Sequence, residues 1–178
     1  ADIHAEEAWD ITTGSPSVTV AIIDTGIDAT HPEFAGRVVA GYNFVHGNTN
    51  VNDDHGHGTN CAGIVGAAGN NNTNITGILW DCCLMPVKVV ASNGMGENTW
   101  LADGIIWAVD NGADVISLSL VVNEDEEDVD MIISAGEYAT ESGVPIAAAM
   151  GNDSSDRVRL PAAIPSVIAV TATTRNDT

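Results

Sequence analysis

Val18-Thr19-Val20-Ala21-Ile22-Ile23-Asp24-Thr25-Gly26 decides the fold of this chain. Residues 18–23 are almost continuously apolar. A strand that does not alternate is buried on both faces, and such strands belong in parallel sheets. Four further short runs of the same character follow, at 84–90, 115–120, 144–149 and 167–170. Between them the spacing predicts helices. Residues 99–111 set Leu101, Ile105 and Ala108 on one stripe and stop at Asn111-Gly112. Residues 129–141 repeat the scheme with Ile132, Ile133 and Ala139 and stop at Gly143. The small residues of 61–67, just after His57, predict a further helix that packs close to the sheet. Alternating strands and helices give an α/β class with helices on both faces of a mostly parallel sheet, a three-layer α/β/α arrangement. Residues 69–74 form a polar loop, and no linker, repeat or low-complexity block divides the chain, so residues 1–178 read as a single domain.

Composition narrows the function. The chain has 178 residues, 44% of them hydrophobic, and no apolar run approaches the ~20 residues of a membrane span. Five basic residues face 25 acidic ones, for a net charge of −20, and Lys88 is the only lysine. That balance argues against nucleic-acid and anionic-membrane partners, which reward basic patches. Strong acidity often signals disorder, but the apolar runs contradict it. The expectation is an acidic, solvated surface on a folded domain, suited to salt- or cation-rich surroundings. The acidic stretch 124–130 reads first as the charged opening turn of a helix, with a cation site as the alternative. Cys61, Cys82 and Cys83 cannot close a disulfide framework and show no C-x-x-C spacing, so they read as buried free thiols. Ala1 is neither an initiator Met nor the start of a secretion signal, which reads as a processed or trimmed chain.

Three positions carry chemistry. Asp24 closes the first apolar run, and the C-terminal ends of parallel strands are where α/β sites assemble. Gly26 lets the backbone turn beneath it. Aspartic proteases also use Asp-Thr-Gly, but they need two carboxylates sharing a proton, and one is present here. His57 follows Asp53-Asp54-His55-Gly56 at the start of the small-residue helix, where it can face Asp24 and accept a proton from a nucleophile. A metal site from Asp53, Asp54, His55 and His57 is the competing idea. Zinc is weakly supported, because residues two apart do not share a helix face and no third histidine lies nearby. Residues 147–152, Ala-Ala-Ala-Met-Gly-Asn, deliver the Asn152 amide at a glycine turn after a strand. A positioned amide donor of this kind stabilises a tetrahedral oxyanion by ~2.7–4 kcal/mol. Gly-Asn alone is a common turn; Asp, His and Asn in that order on three successive units is a far more specific pattern.

With these segments the chain resembles the subtilisin-like serine proteases. The matching stretches are AWDITTGSPSVTVAIIDTGIDATHPEF, HGHGTNCAGIVGA, VKVVASNGMGENTWLADGIIWA, GADVISLSL, SGVPIAAAMGND and LPAAIPSVIAVTA, almost the whole chain. Cys61, after His57-Gly58-Thr59-Asn60, is similar to the thiol-containing branch near thermitase and proteinase K. The resemblance implies that Asp24 orients and stabilises the imidazolium of His57, that His57 is the general base, and that Asn152 donates to the oxyanion. It implies that Gly94-Met95-Gly96 pairs with an extended peptide by β-augmentation, with Ser119, Leu120 and Val121 on the opposite side. Ala149-Met150-Gly151 would form a wall of the primary specificity pocket. No cofactor is implied beyond a structural calcium at Ala68, Asn71, Thr73 and Ile75, held mostly through backbone oxygens. The implied partner is a peptide or protein substrate, and the implied location is outside the cell.

The departures matter as much. The family's nucleophile sits in a Gly-Thr-Ser-Met-Ala motif, and no such motif occurs among these 178 residues. Ser117, Ser119, Ser154 and Ser155 are available hydroxyls outside that context. The expectation is therefore a portion of the family's domain, ending before the nucleophile-bearing helix and inactive alone. Val121-Val122 replaces a usual glycine pair, Asn60 a second histidine, Leu79-Trp80 an Ala-Pro, and Asn43 an aspartate common at the calcium site. The resemblance also implies an N-terminal arm that supplies a calcium ligand, and without it among these residues the site is expected to lose that ligand. Two other classes stand beside the protease portion. One is a non-catalytic module that binds extended peptides; the other is an acidic module whose motifs are only structural. A domain ending early would also leave apolar area open near Ile116, Leu118 and Ile146 and self-associate through it.

Overall fold

The computed structural model describes residues 3–122, 128–153 and 156–173. Among them, six strands form one parallel sheet: β1 (Gly14–Asp24), β2 (Tyr42–Asn43), β3 (Asp81–Lys88), β4 (Val115–Leu118), β5 (Ile146–Ala149) and β6 (Ile168–Val170). The helices are α1 (Ala5–Trp9), α2 (His57–Gly66), α3 (Asn98–Asp110) and α4 (Val129–Glu141). The order across the sheet is β2-β3-β1-β4-β5-β6. After β1 the chain goes out to β2 at the edge, returns to β3 beside β1, and then crosses to β4 on the other side of β1. The switch point of this α/β sheet thus falls at the C-terminal end of β1, where Asp24 stands.

The apolar run of β1 is explained by what covers it. Ala21 and Ile23 join one core cluster with Leu101 and Ile105 of α3 and Ile132 of α4. Val20 and Ile22 join another with Ala62 of α2, Leu84 and Phe34. Successive residues face opposite sides of the sheet, so both sides must be covered for Val20 to Ile23 to be buried to 4% or less. Each fully buried Ile is worth about 1.5–3 kcal/mol. The three-layer α/β/α expectation is borne out.

Boundaries shift for physical reasons. The runs predicted to 90 and 120 leave the sheet at Lys88 and Leu118, and their last residues turn out to line a cleft. Helix α4 coincides with the predicted 129–141, and α3 lies one residue early. Of the acidic stretch 124–130, residues 124–127 lie outside the described residues; Asp130 sits in the first turn of α4. Helix α1 was not legible, because its hold on the fold is remote. The Trp9 indole donates to the Ile78 carbonyl at 2.9 Å, and its ring packs 5.1 Å from that of Trp80.

Two expectations need correction. Ile116, Leu118 and Ile146 do not form an open apolar face: they are buried to 1% or less, in one cluster with residues of α3 and α4. Exposed apolar side chains lie elsewhere, among them Ile64, Ile75 and Ile78 around α2 and Ile168 and Val170 on the edge strand β6. The thiols also differ among themselves. All three are free, but only Cys82 is fully buried, while Cys83 donates to the Pro16 carbonyl at 3.3 Å.

Candidate active site

Asp24 ends β1 and is 2% exposed. Burying a carboxylate is costly without partners. The Thr25 backbone N–H donates to Oδ1 at 2.7 Å, and His57 Nδ1 lies 2.8 Å from Oδ1 and 2.9 Å from Oδ2. Facing two carboxylate oxygens, Nδ1 carries the proton, which leaves Nε2 as the basic nitrogen. About half of the His57 side chain is exposed, so a basic nitrogen on a fixed ring is open to a reactant.

The pair is held by a turn-to-helix clamp. A Cβ on Gly58 would lie 2.2 Å from the Gly26 carbonyl oxygen, so the first turn of α2 rests directly on the Asp24-Thr25-Gly26 turn. Gly26 itself has φ +106°, a conformation that favours glycine. Thr25 Oγ1 accepts from the Gly58 N–H at 2.9 Å and donates to Asp53 Oδ1 at 2.8 Å. Asp53 in turn accepts from the backbone N–H groups of His55, Gly56 and Thr59 and from Thr59 Oγ1, at 2.6–3.0 Å. Burial alone would raise the Asp53 pKa, but the hydrogen bonds from Thr59, Gly56 and His55 outweigh it and hold the group well below the usual carboxylate range. Gly56 is the N-cap of α2 and offers no side chain, so Asp53, from the loop before it, accepts the first-turn Thr59 N–H. Asp54 pairs with Lys88 at 2.7 Å, so neither aspartate is arranged as a zinc ligand.

Lys88 is the residue that sequence reasoning noted only as a charge. It pairs in register with Asp24 across β1 and β3 and is 1% exposed. Its ammonium donates to the Thr25 carbonyl at 2.6 Å, to Asp54 Oδ1 and to the Val90 carbonyl at 2.9 Å. A single buried cation therefore ties the Asp24 turn, the loop before His57 and the exit of β3. Its one sequence signal is a lysine closing an apolar strand.

Cys61 lies one turn along α2, its Sγ 3.9–4.0 Å from the His57 ring nitrogens. Asp24, His57 and Cys61 bring ligand-type atoms within 4.8 Å of one another. Burial, and the negative charge of Asp24, push the Cys61 thiol up despite a hydrogen bond with Ser119, so it remains protonated at neutral pH.

A cleft of about 260 Å³ runs between two segments. Gly94, Met95 and Gly96 line one wall and Leu120, Val121 and Val122 the other, with Leu101 and Arg159 between. Val121 is 41% exposed, and its branched side chain enters the space. Ser119 instead meets Cys61 beside the His57 ring. Ala149 ends β5, the Met150 N–H donates to the Val170 carbonyl at 3.0 Å, and Gly151 turns the chain at φ +111° toward the exposed Asn152. Ser117 lies inside β4, and Ser154 and Ser155 lie outside the described residues.

Ala68, Asn71, Thr73 and Ile75 come together around a loop pocket of about 280 Å³. Sequence reasoning missed the carboxylate that faces this loop: Glu33, 2% exposed. It accepts from Asn71 Nδ2 at 2.7 Å, Thr73 Oγ1 at 2.9 Å and Asn74 Nδ2 at 3.0 Å, and these bonds hold its pKa below the usual range. Asn43 spends its side chain elsewhere, on Asn50 and His46. Both Glu33 oxygens are thus engaged by N–H and O–H donors of the loop, and the ligand types left for calcium around the pocket are the loop's own oxygens.

The sequence profile described as "Subtilase family" matches residues 15–178. Thermitase of Thermoactinomyces vulgaris is 39% identical over 98% of this chain and 61% of its own length. A thermophilic serine proteinase of Bacillus sp. (strain AK1) is 39% identical over 98% of this chain and 43% of its own. Subtilisin E of Bacillus subtilis (strain 168) is 40% identical over 90% and 42%. The chain thus spans no more than about three-fifths of the length of these relatives.

Proposed function

This chain belongs to the subtilase family, and we propose that it carries the base, the orienting carboxylate and the oxyanion donor of a secreted serine endopeptidase. The observation that supports this most is the His57 ring, fixed through Nδ1 on both oxygens of Asp24 with its other nitrogen open. In this reading a hydroxyl brought to Nε2 gives up its proton as its oxygen attacks the scissile carbonyl. The resulting imidazolium, stabilised by Asp24, then protonates the leaving amine. Asn152 donates to the oxyanion at the end of β5. Gly94-Met95-Gly96 and Ser119-Leu120-Val121 hold an extended peptide between them, and Ala149-Met150-Gly151 borders its side-chain pocket. Calcium would rest on the loop of Ala68, Asn71, Thr73 and Ile75, where its charge stabilises the loop; it takes no part in the reaction.

None of the 178 residues lies in a Gly-Thr-Ser-Met-Ala segment, so we assign no nucleophile and expect no turnover from this stretch by itself. A second reading, a peptide-binding module without catalysis, is favoured by Val121 in the cleft. Among the described residues no helix is long and apolar enough to cross a membrane. The test is hydrolysis of a quenched peptide library by the chain, with calcium and at high salt, beside His57→Ala, with binding followed by fluorescence anisotropy. Hydrolysis that the substitution abolishes establishes a working site. Binding without hydrolysis supports the assignment of groove and base without a nucleophile. A chain that neither binds nor cleaves any peptide sinks the proposal and leaves only structural motifs.

A further inference from the structure

Arg159 is one of five basic residues among 25 acidic ones, and it lies in the cleft. The backbone at 159–160 is stitched to both sides. The Arg159 N–H donates to the Met150 carbonyl at 3.2 Å, and the Leu160 carbonyl accepts from Val122 at 3.1 Å. The side-chain stem lies against the glycine turn after β5. A Cβ built on Gly151 would sit 3.2 Å from Arg159 Cγ and 3.6 Å from Val121 Cγ1. At its tip, Nη2 donates to the Val122 carbonyl at 3.0 Å and Nη1 to Asp153 Oδ2 at 2.6 Å. The guanidinium is therefore held in place by a backbone acceptor on the cleft wall, whereas Asp153, one of its partners, is a side chain 49% exposed.

We propose that Arg159 makes the Gly151 end of the cleft a subsite for an acidic side chain, aspartate or glutamate, whose carboxylate takes the place of Asp153 on the guanidinium. The inference rests on the peptide-groove reading above. An exposed ion pair such as Arg159–Asp153 contributes little on its own, so exchanging its partner costs little. A carboxylate arriving along a wall of Leu120, Val121 and Val122 meets the same charge in a less screened setting, where attraction is stronger. The planar fork of arginine suits two-point contact with a carboxylate. A lysine side chain there would be repelled, and a glutamine would leave the existing pair undisturbed. Glu97 follows the Gly94-Met95-Gly96 wall and also lines the cleft. The preference is consequently confined to the subsite against Gly151 and Arg159.

The test is anisotropy of labelled extended peptides on the full chain, with Glu, Gln or Lys placed at each position in turn, at low and high salt. Glu at one position should bind about ten-fold more tightly than Gln there, and the gap should narrow with salt. Arg159→Gln should erase the gap, Arg159→Lys should keep part of it, and Asp153→Asn should widen it by removing one competitor. The wild-type comparison and Asp153→Asn stand even if an Arg159 variant folds poorly. Equal binding of Glu and Gln peptides at every position, or a preference that survives Arg159→Gln in folded protein, overturns the acidic subsite and leaves the groove intact. Failure of every peptide to bind removes the groove reading itself.

Discussion

Lys88 carries more of the site's geometry than its sequence context announces. Its three acceptors belong to three segments, and two of them are backbone carbonyls. Replacing it by methionine keeps the stem but strips the Thr25 and Val90 carbonyls of a charged donor, at about 1–3 kcal/mol for each group left unsatisfied. We expect Lys88→Met to lower stability by about 2–4 kcal/mol in urea unfolding, and Lys88→Arg to recover part of it. Asp54→Asn should cost less than Lys88→Met, because the new Oδ1 can still accept from Nζ, but the buried ammonium loses its counter-charge. Asp53 adds a pH dependence. Its pKa is depressed in the folded state, so its contribution is complete above the unfolded value of about 3.9 and is lost as pH falls through the folded value. Asp53→Asn should therefore flatten the loss of stability below about pH 5 relative to wild type, as read by melting temperature across pH 2–7. Retention of the full acid slope in the variant would assign that slope to other carboxylates, Glu33 first, whose pKa is lowered by its Asn71 bond.

At the scale of elements, α2 governs the site, since it carries His57 and is seated by Gly58 on the Gly26 carbonyl. A methyl group cannot enter a 2.2 Å gap against backbone, so Gly58→Ala must push the helix away from β1. Overpacking of this kind costs about 1–3 kcal/mol. The sharper expectation is local. The downfield NMR signal of the Asp24-bound His57 Nδ1 proton should shift or vanish in the variant while the far-ultraviolet spectrum remains that of an α/β fold. An unchanged proton signal would mean that the clamp does not set the pair. This element also shows what a sequence can say. Val20 to Ile23, buried on both faces, and the small residues of α2 were legible because sheet burial and close helix packing write themselves into consecutive residues. Asp24 and His57 were legible for the same reason: each sits at the end of such an element. Glu33, Lys88 and Arg159 were not. Each acquires its partners from segments distant in the chain, at Asn71, Asp54 and Val122, and no local pattern records those meetings.

For the whole molecule the dominant quantity is a net charge of −20 on 178 residues. Among the described residues Lys88 pairs with Asp54 and Arg159 with Asp153, and with 25 acidic residues against five basic ones most carboxylates cannot have a basic side chain of their own. Like charges at such density repel in the compact state and gain distance on unfolding, which lowers stability at low ionic strength. The screening length falls from about 10 Å at 0.1 M salt to about 3 Å at 1 M, shorter than most spacings between surface carboxylates. Raising sodium chloride from 0.1 to 1 M should accordingly raise the melting temperature by several degrees, on the order of 1 kcal/mol for a chain of this size. Screening also strengthens association through exposed apolar groups, and Ile168 and Val170 are exposed on β6, the last strand in the sheet order among the described residues. Light scattering beside the melts separates the two effects. Stabilisation at constant molecular mass reports relief of repulsion. Stabilisation that appears only with a rise in mass, and disappears on Val170→Lys, would mean that the acidic surface keeps edge strands apart and has little effect on the stability of the single chain.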